Sequence, residues 1–214
     1  MKKAWLAALA SLAAISASTA AHSQNYVAAS AMFIASAESD WSVDGITGGL
    51  GLKKGGGASI AYGRQTESGL AFELELAHRP SKIDEVSFDS DVLLFGVPVA
   101  AGKYPLSVNP GVSASSLMAS AVLNFDAAIS PYFGIGLGAA YVRTSSFTSG
   151  GLVFPSDSET GLAAQIAAGV SFPVSEGMDV RLGYKYFTAM GLDFEGIETD
   201  VNMHSVELGA LFKF

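Results

Sequence analysis

The chain has 214 residues, half of them apolar, with 24 glycines, no cysteine and a net charge of −8. The absence of cysteine excludes disulfides and thiolate metal sites. The acidic balance argues against a nucleic-acid partner, because binding phosphate needs a basic surface.

The first residues read as an export signal. Lys2 and Lys3 precede an apolar run from Ala4 to Ile15, too short to cross a bilayer as a helix, and small residues Ser16 to Ala21 follow. Residues 1–21 are expected to be a cleaved signal peptide, with the cut after Ala20, Ala21 or Ser23, and 22–214 a single barrel domain. Without 1–21, 10 basic and 20 acidic residues remain, a net charge of −10. Nothing after the signal resembles a transmembrane helix, so a chain this apolar and exported is expected to cross a membrane with strands.

The first strand is expected over 24–37, with both faces apolar, so that its lipid side is left open. A Gly- and Asp-rich loop follows over 38–55. The second strand, 56–64, places Ala58, Ile60 and Tyr62 on one face, and 65–69 is a short turn. The third strand, 70–79, alternates most clearly: Leu70, Phe72, Leu74 and Leu76 on one face, Ala71, Glu73, Glu75, Ala77 and Arg79 on the other. Two glutamates facing a soluble core would be costly, whereas a polar barrel lumen can pair them.

A long connection with four prolines spans 80–111. The fourth strand, 112–125, turns Leu117, Ala119, Ala121 and Leu123 outward. After a turn at 126–130, the fifth, 131–143, turns Phe133, Ile135, Leu137, Ala139 and Tyr141 outward and Gly134, Gly136 and Gly138 inward. A polar loop fills 144–160. The sixth strand, 161–172, carries Gln165 inward. After a turn at 173–178, the seventh, 179–187, carries Arg181 and Lys185 inward. A loop over 188–203 leads to the last strand, 205–214. There Val206, Leu208, Ala210, Phe212 and Phe214 share one face and Glu207, Gly209 and Lys213 the other, with Leu211 the exception.

The connections alternate long and short, the asymmetry of an outer-membrane barrel with periplasmic turns and external loops. The pattern predicts an all-β fold, an eight-stranded antiparallel up-and-down transmembrane β-barrel. Both termini are then periplasmic and four extracellular loops stand outside. Phe133 and Tyr141, at the two rims, are separated by about 19 Å along the membrane normal for a strand tilted by about 45°.

Four stretches carry a family resemblance: Leu123-Asn-Phe-Asp126, the run Pro131-Tyr-Phe-Gly-Ile-Gly-Leu-Gly-Ala-Ala-Tyr-Val142, Leu182-Gly-Tyr-Lys-Tyr-Phe187, and His204-Ser-Val-Glu-Leu-Gly209. The chain resembles the small bacterial outer-membrane β-barrels of the OmpA and OmpX type, without the peptidoglycan-binding domain of OmpA. The resemblance implies a Gram-negative outer-membrane surface protein, with the lipid bilayer and lipopolysaccharide around it. It also implies that the ending, Phe212 and Phe214, is an assembly signal read by the barrel-assembly machinery. It does not imply one function.

Glu73, Glu75, Arg181, Lys185, Glu207 and Lys213 form the expected barrel-interior charge cluster. They would pair as a plug closing the barrel or, as is proposed for OmpA-type barrels, exchange partners as a gate. Gly134 to Ala139 fits G-x-G-x-x-A, but a strand follows where a dinucleotide site needs a helix. His204 and Ser205 are adjacent and so point to opposite faces, which argues against the Ser-His pair of a lipid A deacylase. No enzyme activity, metal or cofactor is expected. The apolar stretch 91–101 is expected to fold on the rim or rise as a hairpin, or else to meet a host or envelope protein. The expected role is structural, adhesive or antigenic, carried by the loops; the alternative is a narrow porin-like channel gated by interior salt bridges.

Overall fold

Alternation of apolar and small or polar residues makes each strand two-faced, and only a closed ring hides one face of every strand at once. The computed structural model describes residues 23–214 except 44, 95, 96, 107, 109, 150, 151 and 195. The expected signal segment, 1–21, lies outside the described residues. A ring of eight strands forms the body. They are β1 Gln24–Val43, β2 in two segments, Ile46–Leu52 and Gly55–Gln65, β3 Leu70–Phe88, β4 Gly111–Asn124, β5 Ser130–Thr144, β6 Asp157–Ser175, β7 Met178–Phe194 and β8 Ile197–Lys213. Each is antiparallel to the next, and β8 returns to β1 from Tyr26 opposite Lys213 to Ser42 opposite Glu198. This pairing closes the ring.

The described chain begins and ends at the short-turn end of this barrel. At the other end, the crown, the strands run beyond what a bilayer needs. A tilted spanning strand takes about 9–11 residues, whereas β1 has 20 and β3 and β6 have 19.

The loops expected at 38–55 and 188–203 are therefore not loops. β1 and β2 continue to a two-residue connection at 44–45, and β7 and β8 to one at 195–196. Asp44-Gly45 and Glu195-Gly196 mark these places, and Gly45 (φ 79°) and Gly196 (φ 91°) take the left-handed conformation that tight hairpins demand. Only two connections at this end are long, 89–110 and 145–156, rather than four. Within the first, Val92–Leu94 pairs Val97–Val99 as a small hairpin, and Gly102–Pro105 adds to the edge of β3. Within the second, Phe147–Ser149 pairs Leu152–Phe154.

β3 also runs through Pro80, where the sequence suggested an end. The ladder to β2 lapses there, between His78 opposite Ala58 and Ile83 opposite Leu52, so the missing N–H removes no rung on that side.

The open question of β1 is settled by Tyr26, Ala28, Met32 and Ile34, which are buried inside, while Ala29, Ala31 and Phe33 are exposed outside. The outer surface is an apolar band that includes Leu74, Leu76, Ile135, Leu137, Ile166 and Leu208, each about half exposed or more.

Candidate functional site in the lumen and crown

Inward positions of β3, β7 and β8 meet across the lumen as a stack of ion pairs. Arg181 Nη1 lies 2.8 Å from Glu73 Oε1, and the Tyr26 hydroxyl donates to the same oxygen at 2.5 Å. One level up, Lys185 Nζ lies between Glu75 Oε2 (2.7 Å) and Glu207 Oε2 (3.0 Å). Higher still, Arg79 lies 3.7 Å from Glu75, donates to Ser116 Oγ at 2.8 Å and stacks on the Phe187 ring. Of the six residues read from the sequence as one cluster, the structure brings five together. Lys213 is apart, near the short-turn end, where it meets Asp179 at 2.6 Å.

The sequence reading missed four members of this lumen. Period 2 places Arg79 inward but does not show its partner. Asp179 shares the face of Arg181 by period 2, a signal that was available. Tyr26 was hidden by a strand apolar on both faces, and Tyr132 stacks on Arg181 from β5. The glycines explain how large groups fit. A Cβ at Gly63 would collide with the Tyr26 ring, and one at Gly183 with the Tyr132 hydroxyl.

Little space remains among these side chains, about 30 Å³ beside Glu73, Glu75, Arg181 and Lys185. Several buried polar atoms here, including Glu75 Oε1, Gln165 Oε1, Arg181 Nε and Glu207 Oε1, have no hydrogen-bond partner among the described residues. Above the ions the lumen turns apolar. Ile34, Met118, Phe187, Leu192 and Met203 are almost fully buried and form a second seal.

Above that seal lies an apolar cup of about 370 Å³, to which every strand of the ring contributes. Three β-bulges make it. In β1 the register slips between Ile34 and Ser36, in β3 at Asp84, between the rungs Leu52–Ile83 and Gly51–Glu85, and in β7 between Ala189 and Leu192. One extra residue reverses which side chains point inward. Trp41, Val43, Val86, Phe88 and Phe194 therefore face the cup, and their acidic neighbours Glu38, Asp40, Glu85 and Asp193 face away. Gly48 gives Trp41 its space, and Trp41 meets Phe88 edge-on at 5.6 Å.

The crown is anionic. Its described acids are Glu38, Asp40, Asp84, Glu85, Asp89, Asp91, Asp157, Glu159, Asp193, Glu198 and Asp200, against Lys53, Lys54, Lys82, Lys103 and Arg143. His204 and Ser205 do part: Ser205 is buried in the lumen, and His204 contacts Tyr184 and Tyr186 on the outer face. No group of three or more His, Cys, Asp or Glu suited to a metal occurs among the described residues.

The model of the outer membrane protein beta-barrel domain matches residues 6–214. The chain belongs to this family. Its apolar outer band therefore faces lipid, and the protein resides in the bacterial outer membrane.

None of the curated proteins matches the chain. Among solved structures, neisserial surface protein A (NspA) is 20% identical, with a TM-score of 0.56, over 91% of this chain and all of that one. OprG of Pseudomonas aeruginosa is 14% identical, with a TM-score of 0.48, over 91% and 96%. Ail of Yersinia pestis, the attachment invasion locus protein, is 18% identical, with a TM-score of 0.45, over 89% and 99%, in a complex with a heparin analogue. At 20% identity the likeness to neisserial surface protein A shows the fold alone.

Proposed function

We propose that this outer-membrane barrel is a closed surface protein whose crown, and not its lumen, meets its partners. The observation that carries this is the double seal: the ion-pair stack of Glu73, Glu75, Arg181, Lys185 and Glu207, and above it the apolar layer around Ile34, Phe187 and Met203. A lumen closed twice has structural value and leaves the crown hairpins and the two long connections as the interactive parts. These include the apolar hairpin of 92–99, a contact for a host or envelope protein. In this reading the short turns and both termini are periplasmic, the crown is extracellular, residues 1–21 are removed on export and no reaction is catalysed. Lipopolysaccharide contacts the outer face. Phe212 and Phe214, about half and more than two thirds exposed, are read by the assembly machinery.

The test is conductance of the refolded protein in a planar bilayer, with folding checked by the mobility of unboiled samples on gels. A folded, inserted and silent protein supports the closed reading. Regular conductance steps overturn it in favour of a gated narrow channel. One observation favours that second reading: Lys185 sits within reach of both Glu75 and Glu207, beside polar atoms that water could serve. For the assembly signal, removing Phe214 should lower the amount inserted in cells while leaving refolding into detergent intact. Equal loss in both would assign Phe214 to barrel stability instead.

A further inference from the structure

We infer that the crown cup is a binding site for a small apolar molecule carrying a positive charge, such as an alkyl or aryl amine or quaternary ammonium. Its volume, about 370 Å³, falls in the range of small-ligand sites, which are mostly apolar with a few placed polar groups. All eight strands line it, so it lies on the barrel axis, and the layer of Ile34, Phe187 and Met203 closes its floor. A ligand enters it from the crown end and goes no further.

The charge follows from the oxygens of the lining; beside them the buried Trp41 Nε1–H, a donor without a hydrogen-bond partner among the described residues, is open to a neutral acceptor. Ser39 Oγ donates to Thr199 Oγ1 at 2.8 Å, and Thr199 Oγ1 donates to the Asp40 carbonyl at 2.7 Å. Thr144 Oγ1 is engaged with the Asp157 backbone. Asp157 is the one ionisable group in the lining and makes no ion pair among the described residues. Its Oδ1 accepts the Ser158 N–H at 2.7 Å, which leaves Oδ2 for a ligand. Asp157 stands on the inward face of β6, in phase with Gln165. The acidic crown around the mouth attracts cations and repels anionic amphiphiles, and the aromatic rings of Trp41 and Phe88 are part of the cup wall. The bulges add to the case, since they place the apolar side chains in the cup and the other acids outside it.

The protein carries its own reporter. Of its two tryptophans, Trp5 lies in the expected signal, and a chain of residues 22–214, which holds the whole described barrel, contains only Trp41, in the cup wall. That chain, in phosphatidylcholine nanodiscs, is titrated with decyltrimethylammonium, decanol and decanoate below their micelle-forming concentrations. Trp41 emission is followed throughout.

The expected result is a saturable change, about tenfold tighter for the ammonium than for the alcohol, equivalent to about 1.4 kcal/mol, with decanoate weakest. Asp157→Asn should abolish the preference for the ammonium and leave decanol unchanged. Leu50→Phe, which fills the cup, should weaken all three probes. Unboiled gels show that each variant is folded. A non-saturating response common to all forms of the protein is lipid partitioning and overturns the site. Decanoate binding as well as the ammonium, or a preference that survives Asp157→Asn, overturns its assigned chemistry. None of these results depends on whether the barrel conducts.

Discussion

At the scale of single residues, the lumen is decided by how many partners each charge keeps. Glu75 serves Lys185 and Arg79 together, both with side chains at most about 5% exposed. Glu75→Gln should therefore destabilise the barrel by about 3 kcal/mol, because an uncompensated buried charge costs far more than a surface one. Lys213 and Asp179 pair nearer the end of the barrel with side chains 22% and 12% exposed. Lys213→Gln should cost less, about 1–2 kcal/mol, because this pair keeps partial access to solvent. Urea unfolding in lipid bilayers measures both, and an equal loss would contradict this ranking. Gly183→Ala tests the fit of the aromatic plates. A methyl there must displace Tyr132 from Arg181, for an expected loss of about 1–3 kcal/mol by overpacking. A neutral result would mean that the Tyr132 ring yields freely.

At the scale of elements, the bulges decide more than the strands themselves. Period 2 identifies the faces of β3, β5 and β8 from sequence, since Leu74 and Leu76 alternate with Glu73 and Glu75 without a break. The same rule fails above Ile34, Ile83 and Ala189, where one inserted residue reverses the phase. A reversed phase looks like lost alternation, which is why 38–55 and 188–203 read as loops. The hairpin signals were nonetheless present in Asp44-Gly45 and Glu195-Gly196. Deleting Ala35 should restore an unbroken phase in β1 and turn Trp41 out of the cup. In the chain of residues 22–214 this predicts a red shift of Trp41 emission and faster quenching by iodide. An unchanged spectrum would show that the hairpin slides to absorb the deletion.

At the scale of the whole molecule, ring closure lets eight amphipathic strands hold together without disulfides or a large core. The orientation proposed above makes a simple prediction. Lys103 is exposed on the long connection, with its side chain 75% accessible. Trypsin added to intact cells should cut after it, and the two pieces should stay joined in unboiled gels and separate on boiling. Protection in intact cells together with cleavage in lysed ones would reverse the orientation.

Much of this protein is legible in its sequence, because the signals are local or periodic: eight two-faced strands, the short turns and the inward Glu73, Glu75, Arg181, Lys185 and Glu207. Those features arise from side-chain chemistry repeated along one strand. Which charges meet, and what lies above them, depends on register between strands far apart in the chain. Glu73 and Arg181 are separated by 108 positions and find each other through the stagger of the closed ring. Trp41 and Phe88 join Asp157 in one cup because bulges in β1 and β3 reset their phase, while β6 keeps its phase unbroken from Gln165 to Asp157. A bulge is a relation between two strands, and it became visible when they were paired.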